Sequence, residues 1–493
     1  MKKKRLIRCF ALLLAVCAGL CSCSSGAAKV PKLDPKKPVS IEIWHYYNGP
    51  QQTAFDQLVA EFNETVGMEK GIIVEAYSQG NVTDLINKVI DAANKKVGAE
   101  DIPNIFAAYA DTAYAVDQLG LVASLDPYLT KEELAEYRPE FLEEGRFDKE
   151  GNLKIFPTAK SVELLMLNRT DWDPFASATG AQISDLKTME GITATAKKYY
   201  EWTDQLNGDA AGGKALFGRD AMANYFIIGC RQLGVEIFAG AKQNGVINLD
   251  KKVLRKLWDH YYVPFISGYF GGFGRFRSDD AKTGDLISFV GSSTGATYFP
   301  ESVAVSDTES YPIDCTILPA PYFQDGEKYA VQQGAGMVVA KADEKEEYAS
   351  TLFLKWFTEA DRNIEFAVCS GYLPVKKEAL NLEKINRSVD SQSTLDAKER
   401  MKQMFGVALE QIAESTLYTS KAFEGGTQAR NLLENSMTEK AKADRASVVS
   451  LIDGGEPHAD AVARYTTDQN FETWFEQLSS QFQEIGNVIK INS

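Results

Sequence analysis

The run Gly291-Ser292-Ser293-Thr294-Gly295 satisfies the spacing G-x-S-x-G and follows a β-prone stretch, Leu286 to Val290. A tight strand-to-helix turn of that kind exposes a serine hydroxyl for nucleophilic attack, provided that an acid and then a histidine follow. Ser293 has one later histidine, His458, and no oxyanion-loop signature precedes it. A serine hydrolase using Ser293 is therefore a remote alternative, and small residues at a ligand-facing turn explain the pattern equally well. Three histidines without H-E-x-x-H argue against catalytic zinc. The 68 acidic residues guarantee chance carboxylate pairs, so no two-carboxylate mechanism follows from sequence. No cofactor and no metal are expected.

A different chemistry is written into three short loops. They are Trp44-His45-Tyr46-Tyr47-Asn48-Gly49, Tyr77-Ser78-Gln79-Gly80-Asn81 and Tyr109-Ala110-Asp111-Thr112. Each combines aromatic rings with amides, hydroxyls or a carboxylate. Rings that stack on a ligand face, with polar groups fixing its orientation, suit a polyhydroxylated small molecule. Trp44, His45, Tyr46, Tyr47, Gln79, Asn81, Tyr109 and Asp111 are the candidate binding residues of this part of the chain.

The elements that must position these loops alternate between strand and helix. Ile41, Ile43 and Trp44 lie in a β-prone run, and Phe55, Leu58, Val59 and Phe62 then recur at helical spacing. Ile72-Ile73-Val74 predicts a second strand. Asn81 caps a helix with Leu85, Ile86, Val89 and Ile90 on one face. Pro103 to Tyr109 predicts a third strand, followed by a helix through Val116 and Leu119. Strands about thirty residues apart with helices between them predict an α/β fold with a parallel sheet, whose ligands bind beyond the C-terminal strand ends.

The N-terminus carries Lys2, Lys3, Lys4, Arg5 and Arg8, then an apolar run from Phe10 to Leu20. That run is too short to span a bilayer and predicts an export signal. Leu20-Cys21-Ser22-Cys23 resembles the bacterial lipoprotein signal, so residues 1–22 would be removed and Cys23 lipidated. Residues 23–38 then read as a tether of Ser, Gly, Ala, Lys and Pro. Such an anchor holds the body on the outer face of the cell membrane. The formal charge of −15 over 493 residues argues against nucleic acid as a partner. Past Cys23 the cysteines are Cys230, Cys315 and Cys369, which permit one disulfide at most.

The opening Ile-Glu-Ile-Trp-His-Tyr-Tyr-Asn-Gly, from Ile41 to Gly49, resembles family 1 extracellular solute-binding proteins, the binding components of ABC importers for sugars and glycerol phosphates. Further matches follow in order: Phe156 to Asn168, Gly291 to Gly295, Gln333 to Val339, Ala349 to Thr358 and Gly371-Tyr372-Leu373-Pro374-Val375. The resemblance implies a two-lobed fold joined by hinge strands, with the ligand in the cleft. The expected lobes are residues 39–160 with 313–372, and 161–312 with 373–493. It also implies binding roles for Ser161, Ser292, Ser293, Gly334, Tyr372 and Arg430, the last at the place of a phosphate-binding arginine in relatives that take glycerol phosphates. Departures from those relatives at Val82-Thr83 and around Arg219-Asp220 make a neutral carbohydrate the leading expectation and glycerol phosphate or a glycerophosphodiester the alternative. Arg219 and Asp220 join the candidates as hydrogen-bonding partners of hydroxyls. The implied partners are ABC permease subunits, and the protein is expected to act as a monomer without chemistry of its own.

Overall fold

A computed structural model describes residues 30–207, 212–240, 246–392, 398–486 and 489–492. The leader and Cys23 lie outside the described residues. The last part of the expected tether does not hang free. Leu33 packs on the core, and Asp34 and Pro35 lie so close to Gly71 that a Cβ there would stand 2.6 Å from the Asp34 carbonyl. The tether reading of residues 33–38 is corrected accordingly. Among the described residues no helix is long and apolar enough to cross a membrane.

Two four-stranded sheets organise the chain. The first has the order Gly336–Val339, Ile105–Ala108, Val39–His45, Ile72–Ser78. Its three N-terminal strands run parallel, as their spacing predicts, and Gly336–Val339 returns antiparallel. His45 pairs with Ser78, and Trp44 with Phe106, so the three strand-end loops leave one edge. Helix Gly49–Phe62 buries Phe55, Leu58, Val59 and Phe62, the helical-spaced residues of the sequence.

The second sheet has the order Cys315–Pro319, Glu163–Asn168, Ser288–Ser292, Phe217–Arg219. Strand Glu163–Asn168 runs antiparallel to both neighbours, with Glu163 opposite Ser292. Its side chains alternate between two cores: Leu164 and Met166 join the cluster of the first sheet, Leu165 and Leu167 that of the second. A period of two, buried on both faces, explains why the segment is apolar at every position but its first and last.

Because Cys315–Pro319 pairs with Glu163–Asn168, that segment belongs to the second sheet and not to the first lobe. The expected boundary before residue 313 is thus corrected, and the chain re-enters the first lobe near Gln333. Nor is the segment after 372 confined to the second lobe. Helix Leu382–Ser391 lies against helix Ala360–Ser370 of the first lobe, whereas helix Lys398–Glu414, with Met404 and Phe405 buried, packs against Cys315–Pro319 of the second sheet. Helix Gly426–Asp453 and helix Asp468–Glu484 pack with the second-lobe core.

Three passes of the chain meet between the lobes. Ser161 pairs with Gln333, Lys160 with Leu373 and Phe156 with Met337. Gly334 adopts φ +93°, and a Cβ there would lie 2.7 Å from the Ala159 carbonyl, so this crossing admits no side chain without strain. Buried Lys160 ties it together: its ammonium pairs with Glu144 and donates to the Gly334 carbonyl at 2.8 Å, while Gln332 donates to Glu144 at 2.7 Å. Cys230, Cys315 and Cys369 are all free thiols.

The facing edges of the two lobes

On the first-lobe edge the phenols converge. The Tyr46 and Tyr372 hydroxyls are 3.2 Å apart, and Tyr109 interacts with Tyr46 from the next loop. Burial pushes the Tyr46 hydroxyl well above its ordinary value, so it stays a neutral donor and acceptor. Tyr372 stacks on buried Phe366 with rings 7° from parallel. Tyr109 keeps 37% of its surface exposed.

Asp111, in the first turn of helix Ala110–Gln118, carries this edge across to the other lobe. A Cβ on Gly426 would stand 2.6 Å from Asp111 Oδ1, so the start of helix Gly426–Asp453 touches it with no room to spare. Burial raises the Asp111 carboxyl to about 6; Arg430 opposes that rise and Glu144 adds to it. The lobes are therefore in contact at this point.

The second-lobe edge is built differently. Glu163 is 5% exposed and has both carboxylate oxygens engaged: Arg219 Nη2 donates to Oε2 at 2.8 Å and Asn224 Nδ2 to Oε1 at 2.8 Å. Asn224 Oδ1 then accepts from Arg430, and the Arg219 guanidinium lies 5.1 Å from the Tyr225 ring centre. A buried ion pair is kept in place when its remaining hydrogen-bonding positions are filled, as here. Helix Met222–Gln232 starts immediately beyond Arg219-Asp220, from Ala221 at φ 51°, a conformation that strains a non-glycine residue. Glu434 accepts the Met222 and Ala223 amides and stabilises that start. Asp220 accepts from the Arg277 amide at 3.2 Å, and burial, reinforced by Glu163 and opposed by Arg277 and Arg219, raises its carboxyl to about 6.

Two cavities adjoin this contact. One, of about 490 Å³, is bounded by Glu143, Glu144 and Phe147 of the first lobe, Gln332 of the crossing, and Tyr418 and Lys421 attached to the second. The other, of about 340 Å³, is lined by Glu163, Arg219 and Asn224 together with Ile228, Leu318 and Gln411.

The sequence candidates divide sharply. Tyr46, Tyr109, Asp111, Tyr372 and Arg430 meet, and Arg219 joins them through Glu163 and Asn224. Ser161 and Gly334 sit at the crossing, where the Ser161 backbone pairs with Gln333 and the Gly334 carbonyl accepts from Lys160. Ser292 lies opposite Glu163 and its hydroxyl accepts from Thr294 Oγ1 at 3.0 Å. Trp44, His45 and Tyr47, at 1%, 0% and 2% exposure, are corrected to core residues. A sheet covered on both faces buries alternate side chains in either direction. Trp44 donates to Glu42 at 2.6 Å; His45 and Tyr47 pack together and around Phe55. Gln79 accepts from Lys88 at 2.7 Å. The Asn81 amide is used in a capping box with Asp84, as its capping position predicts, so neither Gln79 nor Asn81 is placed with the phenols. Ser293 is 0% exposed and its hydroxyl is directed at the Gly371 carbonyl. His458 is bound to the Ser267 carbonyl at 2.9 Å, so the elbow reading is corrected as well.

Glu163, Asn224, Glu144 and Lys160 escaped the sequence reading. A carboxylate opening an apolar strand and a lysine among buried residues are the signals that could have found two of them, because such charges are buried with partners or not at all.

Residues 57–392 match the model of the bacterial extracellular solute-binding protein family, well over half of the chain. The chain belongs to this family. Its place is accordingly extracytoplasmic. No curated protein sequence matches it. Solved structures share its fold over nearly their whole length. The cyclic α-maltosyl-1,6-maltose binding protein of Arthrobacter globiformis is 18% identical, with a TM-score of 0.61 and coverage of 89% of this chain and 100% of the other. The GacH receptor of Streptomyces glaucescens, solved unliganded and with acarbose, is 13% identical, with a TM-score of 0.61 and coverage of 89% and 98%. UgpB of Mycobacterium tuberculosis, in complex with glycerophosphocholine, is 15% identical, with a TM-score of 0.57 and coverage of 90% and 99%. The two-lobed solute-binding architecture is common to all of them.

Proposed function

We propose that this protein captures a neutral carbohydrate between its lobes, held outside the membrane by lipid on Cys23, and hands it to the permease subunits of an ABC importer. The observation that carries the ligand class is charge balance at the facing edges. Arg219 is paired with Glu163, Lys160 with Glu144, and Arg430 is bound to Asn224 and faces Asp111. A phosphate dianion entering there meets two cations, Arg219 and Lys160, already satisfied by the protein's own carboxylates, and a third, Arg430, bound to the Asn224 amide. A polyol instead finds neutral phenols and engaged polar groups that still offer lone pairs. Structural relatives that bind cyclic maltosyl-maltose and acarbose support the same class.

Ligand contacts to both lobes supply the differential affinity that stabilises the closed form. The protein performs no bond-breaking step in this reading. Glycerol phosphate or a glycerophosphodiester is the second reading, favoured by Arg430 at the interlobe contact and by the glycerophosphocholine relative. Thermal unfolding against neutral oligosaccharides, polyols, glycerol phosphate and glycerophosphodiesters separates them. A ligand at a hundred times its dissociation constant adds about 2.7 kcal/mol. A shift with sugars alone supports the first reading; a shift with phosphate esters that disappears in Arg430→Ala establishes the second.

A further inference from the structure

We propose that Phe273 and Phe276, on a loop beyond the second-lobe strand ends, form a stacking shelf for outer sugar rings, so that the solute is an oligosaccharide that runs from the interlobe contact along this rim. This rests on the carbohydrate reading above and extends it. Among the described residues five Tyr, Phe or Trp side chains are exposed: Tyr77, Tyr109, Phe273, Phe276 and Tyr298. All five lie at or just beyond the ends of strands that lead into the facing edges. Tyr77 and Tyr109 stand at the ends of first-sheet strands. In the second sheet Phe217–Arg219 runs parallel to Ser288–Ser292, and Phe270 pairs parallel with Phe217. The segments that follow all three therefore leave the sheet on one side, carrying Tyr298, Asp220 and the pair Phe273 and Phe276. Glu163, opposite Ser292, marks that side as the second-lobe edge, and Tyr298 lies within electrostatic reach of Tyr372 on the first. Single exposed apolar side chains need no account, whereas their concentration on one rim marks a binding surface.

The loop is built to hold these rings in water. Asp280, 2% exposed, accepts from the amides of Phe273 and Gly274 at 3.1 and 2.5 Å and pairs with buried Arg277. Arg277 donates in turn to the Gly274 carbonyl at 2.7 Å, and its own amide donates to Asp220, the residue next to Arg219. A Cβ on Gly271 would stand 2.6 Å from the Phe273 ring, so the missing side chain lets that ring lie against the backbone. Phe273 is still 66% exposed and Phe276 52%, with the Arg275 guanidinium 5.2 Å from the Phe276 ring centre. A buried ion pair is costly to desolvate, and here it orders a surface loop whose tip is bare aromatic. Rings ordered in advance lose less freedom when a ligand arrives. A sugar presents C–H groups on its ring face and hydroxyls at its rim. Its face stacks on a phenyl ring while its hydroxyls stay in water, so a shelf without hydrogen-bonding groups suits an outer unit of a chain.

The test is calorimetric titration of the full-length protein with glucose and xylose oligosaccharides from one unit to six, and with glycerophosphocholine. Affinity is expected to rise about tenfold or more from the shortest sugar bound to the longest. Phe273→Ala and Phe276→Ala should each remove about threefold to tenfold of that rise, roughly the worth of one stacked ring. Phe273→Trp should keep it, which separates loss of a ring face from a disturbed loop. Both side chains are exposed, so unchanged thermal unfolding of the variants serves as the folding control. Sugar binding that gains nothing from length, or a gain indifferent to both alanine variants, overturns the shelf and leaves the carbohydrate reading standing. Length-independent binding together with sedimentation on phosphatidylglycerol vesicles that the alanine variants abolish also overturns it, by assigning the rings to the membrane. Binding of glycerophosphocholine with no sugar bound at any length overturns the carbohydrate reading, and the shelf with it.

Discussion

The two facing edges solve one problem with opposite chemistry. The first-lobe edge presents phenols, Tyr46, Tyr109 and Tyr372, backed by a core of stacked rings. The second-lobe edge presents a chain of charge-assisted bonds, Arg219 to Glu163 to Asn224 to Arg430. Neutral rings cost little to desolvate and are fixed by packing. Ion pairs cost much to desolvate and are fixed by mutual satisfaction. The first edge is thus expected to tolerate loss of single hydrogen bonds, whereas the second fails as a unit.

The largest effect should come from breaking that unit. Glu163→Ala leaves Arg219 buried without its carboxylate and should cost about 3–5 kcal/mol of stability, measured by denaturant unfolding. Replacing Glu163 and Arg219 together by Met should cost less than Glu163→Ala alone, because no buried charge is then left unpaired. Equal losses would mean that the pair contributes through packing and not through charge.

Next is the contact between the edges. Because the Asp111 carboxyl stands at about 6 in the closed arrangement and should revert towards its ordinary 3.8 when the lobes part, the closed form binds the proton more tightly. Closure, and with it solute affinity, should therefore strengthen as pH falls from about 6 towards 4, by at most about tenfold per unit. Above pH 6 this contribution is flat. Asp111→Asn should remove the slope, leaving whatever Asp220 contributes. Gly426→Val, which drives a side chain into Asp111, should weaken solute binding without lowering the stability of the separated lobes, read from calorimetry and unfolding together.

The phenol edge should respond least to single changes. Tyr46→Phe and Tyr372→Phe each remove one hydroxyl from a mutual pair, and each should alter stability by about 1 kcal/mol. A separate, pH-dependent effect concerns His45, whose burial lowers it to about 4. The folded state keeps it neutral while the unfolded chain takes up a proton below about 6.5. Stability should fall as pH drops from 6.5 to 4, and His45→Gln should flatten part of that slope.

What could be read from the sequence follows the same division. Periodicity placed the parallel strands, the helix through Phe55 and Phe62, and the Asn81 cap, because each depends on local spacing or a local hydrogen bond. The phenol edge was half legible: three loops at strand ends named Tyr46, Tyr109 and Asp111, but could not separate them from Trp44 and His45, whose burial is decided by helices packed from elsewhere in the chain. The charged edge was half legible too: Arg219 and Arg430 were named, the latter through the family resemblance, but the bonds that join them through Glu163 and Asn224 were not. Glu163, Asn224 and Arg430 are joined by bonds spanning 61 and 206 residues, and no local pattern reports partners so distant. The lobe boundary failed at Cys315–Pro319 for the same reason, since strand pairing with Glu163–Asn168 leaves no mark in a short apolar run.

The central claim, a neutral solute held between charge-balanced edges, is tested most directly by calorimetric titration of the panel's best ligand at low and high ionic strength. The account predicts a neutral sugar whose dissociation constant is unchanged by salt, with Arg430→Ala weakening it modestly. A phosphate ester that binds tightly at low salt, loosens steeply as salt screens the site, and is abolished in Arg430→Ala would contradict it.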